Sequence, residues 1–229
     1  MPADPWSTPT SYETSAAAEA TFLAKVYRWM AAGLALTGLF AYAVVTSPGL
    51  QRTILGNPIV FFGLLIGELV MVVAFTRVVQ RASFGTAAAM FLAYCALSGL
   101  TFSVIFLAYT RESIASTFFI TGGTFAAMSA YGTLTKKDLT GWGQFLMMGL
   151  IGVVIALVVN IFLRSDALGF VLSCAGVVVF TGLTAYDAQK IKGYAHAGDE
   201  RLALHGALTL YLDFINLFLM LLRLFGRRK

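Results

Sequence analysis

Apolar positions fill this chain in runs of about 20 residues, at roughly 26–46, 58–76, 86–109, 113–134, 141–163, 167–188 and 202–222. Each run is long enough to cross a hydrocarbon layer as a helix. Between them lie short polar breaks rich in turn and cap residues: SPG at 47–49, NP at 57–58, RASFG at 81–85, TRES at 110–113, TKKD at 135–138, RSD at 164–166 and KIKGYAHAGDER at 190–201. Alternating strand patterns are absent, and lipid offers backbone groups no water to bond, so the spans are expected to be helices. The pattern predicts an all-α, polytopic membrane protein: a flexible polar tail over residues 1–20, then one domain of seven transmembrane helices over 21–229.

Composition agrees with this solvent. The 229 residues are 59% hydrophobic and 12% charged, about half the charge of a typical soluble domain. The opening MPADPWSTPTSYETSAAAEA lacks the basic start, apolar core and small-residue cleavage site of a signal peptide. The first span, from YRWMAAGLALTG, is therefore expected to act as the insertion signal and to stay.

The net charge of +5 reads as a topology signal. Lys25, Arg28, Arg77, Arg81, Lys136, Lys137, Lys190, Lys192 and Arg201 fall on one set of alternating flanks, against Arg52, Arg111 and Arg164 on the other. That places the amino end in the cytoplasm. The tail cations Arg223, Arg227, Arg228 and Lys229 oppose it; seven true spans are favoured over a re-entrant last segment. No basic-aromatic surface suited to single strands is visible, so nucleic acid is not an expected partner.

Cys95 and Cys174 lie within apolar spans and read as small buried residues, without disulfide or metal spacing. His196 and His205 read as solvated loop histidines. Gly122, Ala126 and Ala130 recur every fourth residue, a stripe on which a neighbouring helix can approach closely.

Of 11 acidic residues, three fall within spans: Glu68, Asp187 and Asp213. An aspartate at a helix centre costs on the order of 2.5–3.5 kcal/mol to insert, and each Leu, Ile, Phe or Val returns about 0.3–0.6. The twelve such residues between 202 and 222 offset that cost, but an intramembrane acid marks a functional site by default. At 100° per residue, Thr209, Asp213, Asn216 and Arg223 share a narrow arc. This polar stripe must be lined by other helices, which suits a central position for the last one.

Asp187 stands on the preceding span, and consecutive helices joined by a short loop usually pack together. Two carboxyls meeting in a low dielectric would share one proton over an extended pH range. A divalent cation such as calcium could replace that proton, although two carboxylates alone leave its oxygen shell incomplete. Arg77, level with Asp187 by depth, is a candidate ion-pair partner tying the second span to the sixth, or else an anchor at the membrane edge. Glu68 either pairs with an arginine, Arg223 being one candidate, or lines an ion path.

The stretches AYDAQKIK at 185–192 and LYLDFINLFLMLLRLFG at 210–226 closely resemble the motif of the Bax inhibitor-1 family, the transmembrane Bax inhibitor motif proteins. VYRWMAAGLALTG at 26–38 resembles its bacterial branch. The resemblance covers nearly all of the chain after residue 20. It implies a bundle whose last helix is central and surrounded by six others, in a bacterial inner membrane. It also implies a pH-sensitive calcium leak, with Asp187 and Asp213 as a proton-sharing sensor that contacts the metal. An arginine of the second helix, Arg77 or alternatively Arg81, would latch Asp187. Calcium and protons would be the partners beside the bilayer, with no cofactor. The anti-apoptotic activity of eukaryotic relatives is not carried over.

Competing classes fit less well. An intramembrane aspartyl protease requires GxGD before its second acid, where this chain has LYLD, and a PAL motif, which is ruled out because no proline follows Pro58. A retinal protein requires a lysine in the last span, and none of the six lysines lies within a span. A membrane serine protease would want a histidine inside the bundle, and none is expected there. No enzymatic activity is expected. The alternative is a non-transporting regulator that binds a membrane protein such as a quality-control protease.

Overall fold

A computed structural model describes residues 11–229, with side chains from residue 16 onward. The described residues form eight α-helices: α1 Ser11–Thr46, α2 Pro48–Ile54, α3 Pro58–Val78, α4 Phe84–Ala108, α5 Arg111–Leu134, α6 Thr140–Leu163, α7 Asp166–Gly193 and α8 Glu200–Phe225. A single 3₁₀ turn, Tyr194–Ala197, links α7 to α8.

The polar breaks became caps. The side chains of Asn57, Ser83, Thr110, Ser165 and Asp199 accept hydrogen bonds from the first free amides of α3, α4, α5, α7 and α8, which satisfies donors that lipid cannot. Proline at the first position starts both α2 and α3, where a missing N–H costs nothing.

Two expectations change at the ends. Residues 11–20, expected within the tail, continue the first helix; the rest of the predicted tail, 1–10, lies outside the described residues. The last helix is continuous for 26 residues, about 39 Å at 1.5 Å per residue, which leaves no place for a re-entrant bend.

Among the described residues, six helices are long and apolar enough to cross a membrane: α1 from Ala16, α3, α4, α6, α7 and α8. Helix α5 has the length, but Arg111, Glu112 and seven serines and threonines lower its apolarity.

Packing runs opposite to hydrophobicity. In the two most apolar spans, α3 and α6, few residues are fully buried, whereas in α8 more than half are. Helix α8 packs against α1, α4, α5 and α7, while α3 rests mainly on α4 and α6 mainly on α7. The expected ring of six is thus a ring of four with two outriders. Helices apolar all round gain nothing from leaving lipid; one carrying an acid does.

The connections sort to two ends. At one, Arg201 Nη1 donates to Ala82 O at 3.1 Å and Gln189 Nε2 to Lys137 O at 2.8 Å. These bonds join the α7–α8, α3–α4 and α5–α6 turns. At the other, Thr110 N donates to Arg227 O and Lys229 N to Ala108 O, both at 3.0 Å, so the C-terminal segment lies along the α4–α5 turn.

Candidate functional site: an aspartate pair beside the central helix

Asp213 is 6% exposed and Asp187 9%, an unusual degree of burial for acids. They come from neighbouring helices, and close approach of the backbones brings them together. A Cβ on Gly206 would lie 2.9 Å from Ile191 Cγ2, and one on Gly176 would lie 2.8 Å from Met220 Cγ. Glycine at these two levels, above and below the acids, lets α8 lie close along α7.

The carboxyl groups of Asp187 and Asp213 are near neighbours across the α7–α8 contact. Two ionised carboxylates can only repel; the contact becomes attractive when one carries a proton and donates it. Asp213 Oδ2 has no hydrogen-bond partner among the described residues, which leaves an acceptor site open on the pair. Lys190, one turn beyond Asp187 on α7, is the cation whose field reaches it.

Thr209, Asn216 and Arg223 do share one side of α8, but it is the least covered side rather than one lined by other helices, and Asp213 is buried beside it. Most of α8 is buried, and its partly or fully exposed positions Arg201, Leu202, His205, Thr209, Leu212, Asn216, Leu219 and Arg223 recur mostly every three or four residues. Thr209 Oγ1 donates to His205 O at 3.1 Å and Asn216 Nδ2 to Leu212 O at 2.8 Å. Both side chains are therefore satisfied by their own helix while facing the seam. Asp213 sits at the edge of this seam, turned toward α7.

His205 is not a loop residue. It lies on α8, half-buried, its ring 6.3 Å from that of Tyr194 and its Nδ1 without a partner among the described residues. His196 approaches Glu19 Oε1 at 3.1 Å, and Lys192 Nζ approaches Glu19 Oε2 at 3.2 Å, tying the start of α1 to the end of α7. Lys25 and Glu200 pair beside them.

The expected arginine latch is not formed among the described residues. Arg77 is exposed on the outer face of α3, beside Leu69, Val70 and Val73. Neither it nor Arg81 makes an ion pair with Asp187 among the described residues. The reason lies in the outrider position of α3, which packs on α4 rather than α7.

Glu68 likewise does not reach Arg223, which is exposed. Glu68 accepts a hydrogen bond from Thr101 Oγ1 at 2.5 Å. Next to it is a polar group that sequence reasoning missed: Ser98, Tyr94 and Tyr211, all buried, with the Tyr211 hydroxyl 2.7 Å from Thr37 Oγ1. Thr37 in turn donates to Cys95 O at 2.9 Å. Tyrosines within apolar spans carried no signal of their own; only their alignment across α1, α4 and α8 reveals them.

Among the described residues no three His, Cys, Asp or Glu side chains cluster as a metal site. The aspartate pair supplies two carboxylates, short of the six to eight oxygens a resident calcium takes.

A family model described as inhibitor of apoptosis-promoting Bax1 matches residues 19–229. The chain belongs to the Bax inhibitor-1 family. Both acids, the seam on α8 and the Tyr211 cluster fall inside the matched region. Relatives include the Escherichia coli K12 inner membrane protein YbhL, 47% identical over 91% of this chain and 92% of that protein. A Borreliella burgdorferi protein is 45% identical over the same shares. A Streptococcus pyogenes membrane protein is 36% identical over 90% of this chain and 92% of its own length.

Proposed function

We propose that this member of the family is a pH-sensitive calcium leak of the bacterial inner membrane, gated by the Asp187–Asp213 pair. The observation that carries the reading is the contact of two buried carboxyls from adjacent helices at the edge of the half-open seam of α8. With a proton between them, the pair holds α7 to α8. With the proton gone, mutual repulsion loosens the helices and the pair becomes a doubly negative contact for a divalent cation. Calcium is cargo in this scheme, and Thr209 and Asn216 line its route. Glu68, on the far side of α4, serves the Thr101 and Tyr211 cluster.

The same proposal takes seven crossings with the amino end in the cytoplasm. Helix α5 is the seventh: its small and polar Thr117, Thr121, Ser129 and Gly132 are buried where it packs against α7 and α8, while Phe119, Ile120, Tyr131 and Leu134 face outward, where lipid can cover them. The inner-membrane assignment rests on the name of the E. coli relative, an inner membrane protein.

The test uses purified protein in calcium-loaded liposomes. Wild type should release calcium at a rate that changes between about pH 6 and 8. Asp187→Asn should flatten that profile, because one neutral amide abolishes the shared proton, and Asp213→Asn should change the rate itself. Identical release by wild type and Asp213→Asn across that range would remove the leak reading.

A further inference from the structure

A cleft of about 360 Å³ lies between α5, α6 and α7, on the face of α7 away from Asp213, within the ~300–1,000 Å³ of small-molecule sites. Met128 and Leu146 form its walls, and Gly182 and Ala185 its floor. Leu146 occupies the space a Cβ on Gly182 would take, 2.6 Å from Leu146 Cδ1, and the Tyr186 ring lies against Gly143. These two glycines are what let α6 close over α7 at the base of the cleft.

The mouth differs from the walls. Tyr131 and Trp142 stand at its rim, 47% and 66% exposed, and such rings favour the level of lipid headgroups. Lys137 lines the opening, Lys136 precedes it in the same turn, and Lys190 Nζ sits 5.8 Å from the Tyr186 ring centroid. None of the three lysines forms an ion pair among the described residues. The one acid at the mouth, Asp138, is engaged by the Thr140 amide at 2.9 Å and hydroxyl at 2.6 Å.

The turn carrying these groups is pinned. Gln189 accepts from Leu139 N at 2.9 Å while donating to Lys137 O, and Lys192 Nζ donates to Thr133 O at 3.1 Å. The cationic rim is therefore held in place over an apolar trough that opens sideways to the bilayer.

We propose that this cleft is a binding site for an anionic phospholipid of the surrounding leaflet. The phosphodiester sits between Lys137 and Lys190, and one acyl chain lies along Met128 and Leu146. The apolar trough selects an amphiphile over free phosphate, and the excess of positive charge at the rim selects an acidic headgroup over a zwitterionic one. Tyr131 and Trp142 fix the depth.

Trp142 supplies its own reporter. The chain has three tryptophans, so Trp6→Phe and Trp29→Phe leave Trp142 as the single emitter. The protein is reconstituted into phosphatidylcholine vesicles carrying equal small fractions of brominated phosphatidylglycerol or brominated phosphatidylcholine. Brominated phosphatidylglycerol should quench Trp142 at a mole fraction about tenfold lower than its zwitterionic counterpart. Lys137→Gln with Lys190→Gln should bring the two quenching curves together, and both side chains are exposed, so this variant keeps its fold. Equal quenching by the two lipids in the parent protein, or a preference that survives in the double variant, overturns the proposal.

Discussion

The polar side chains of this bundle that find a partner do so in one of three ways, and each has its own energetic consequence. Thr121 and Thr184 return a hydrogen bond to the carbonyl four residues back, at 2.7 Å in both cases; such residues are neutral passengers. Tyr211 instead crosses between helices to Thr37. Tyr211→Phe should therefore lower stability by about 1 kcal/mol, read as a drop in the midpoint of thermal unfolding in detergent. Asp199, at the water boundary, caps α8 and binds Arg201 through 2.8 and 2.9 Å contacts. Those bonds hold its carboxyl below the usual carboxylate range. A lowered folded pKa means the stabilisation is complete above the ordinary value near 3.9 and disappears as pH falls through the folded one. Asp199→Ala should cost about 1 kcal/mol, equally at pH 6 and 8, with the gap closing only in acid below about pH 4.

Helix boundaries were legible in the sequence because caps are local: Asn57-Pro58, Ser83 and Thr110 declare themselves without reference to the fold. Helix faces were not. In lipid an apolar side chain gains little by turning inward, so the periodicity that marks a buried face in water fades. The small-residue stripe Gly122, Ala126 and Ala130 shows the consequence. Ala126 and Ala130 are exposed, and a Cβ on Gly122 would meet nothing within 4 Å. The inner face of α5 is instead Thr117, Thr121, Phe125, Ser129 and Gly132. There Gly132 lies against the α7 backbone, and a Cβ would fall 2.0 Å from Ala185 O. Gly132→Ala should therefore force α5 off α7 and lower stability by about 1–3 kcal/mol or more, read as a drop in the unfolding midpoint. Gly122→Ala should be neutral or stabilising by roughly 0.5–1 kcal/mol. Equal effects of the two substitutions would show that the face of α5 is misplaced. Arg77 failed for a related reason: matching its depth to Asp187 presumed a neighbour for α3 that sequence order does not specify.

At the scale of the whole molecule, the acid pair was foreseeable because it rests on two rules, that buried acids need partners and that consecutive helices pack. The ring of four was not, since it depends on which helices can afford to stay in lipid. The proposed topology of seven crossings makes a direct prediction. In a cysteine-free background, with Cys95 and Cys174 replaced by alanine, a cysteine at Arg111 should react with a membrane-impermeant maleimide in intact cells. One at Lys137 should react only after the cells are opened. Labelling of both from the same side would mean that α5 does not cross.

The order of the chain sets a schedule for assembly. Helix α8 is the hub, yet it is synthesised after α1, α4, α5 and α7, all of which pack against it. Until it leaves the ribosome, Phe118, Phe125, Tyr94 and Phe91 lack the aromatic partners Phe214, Phe218 and Tyr211 that they later meet edge-on. The earlier helices must wait in the bilayer as a loose collar, and the arrival of the final segment, bearing its aspartate, is what closes them into one body. A nascent chain stopped after α7 should accordingly be a prime substrate for membrane proteolysis, where the finished protein is not.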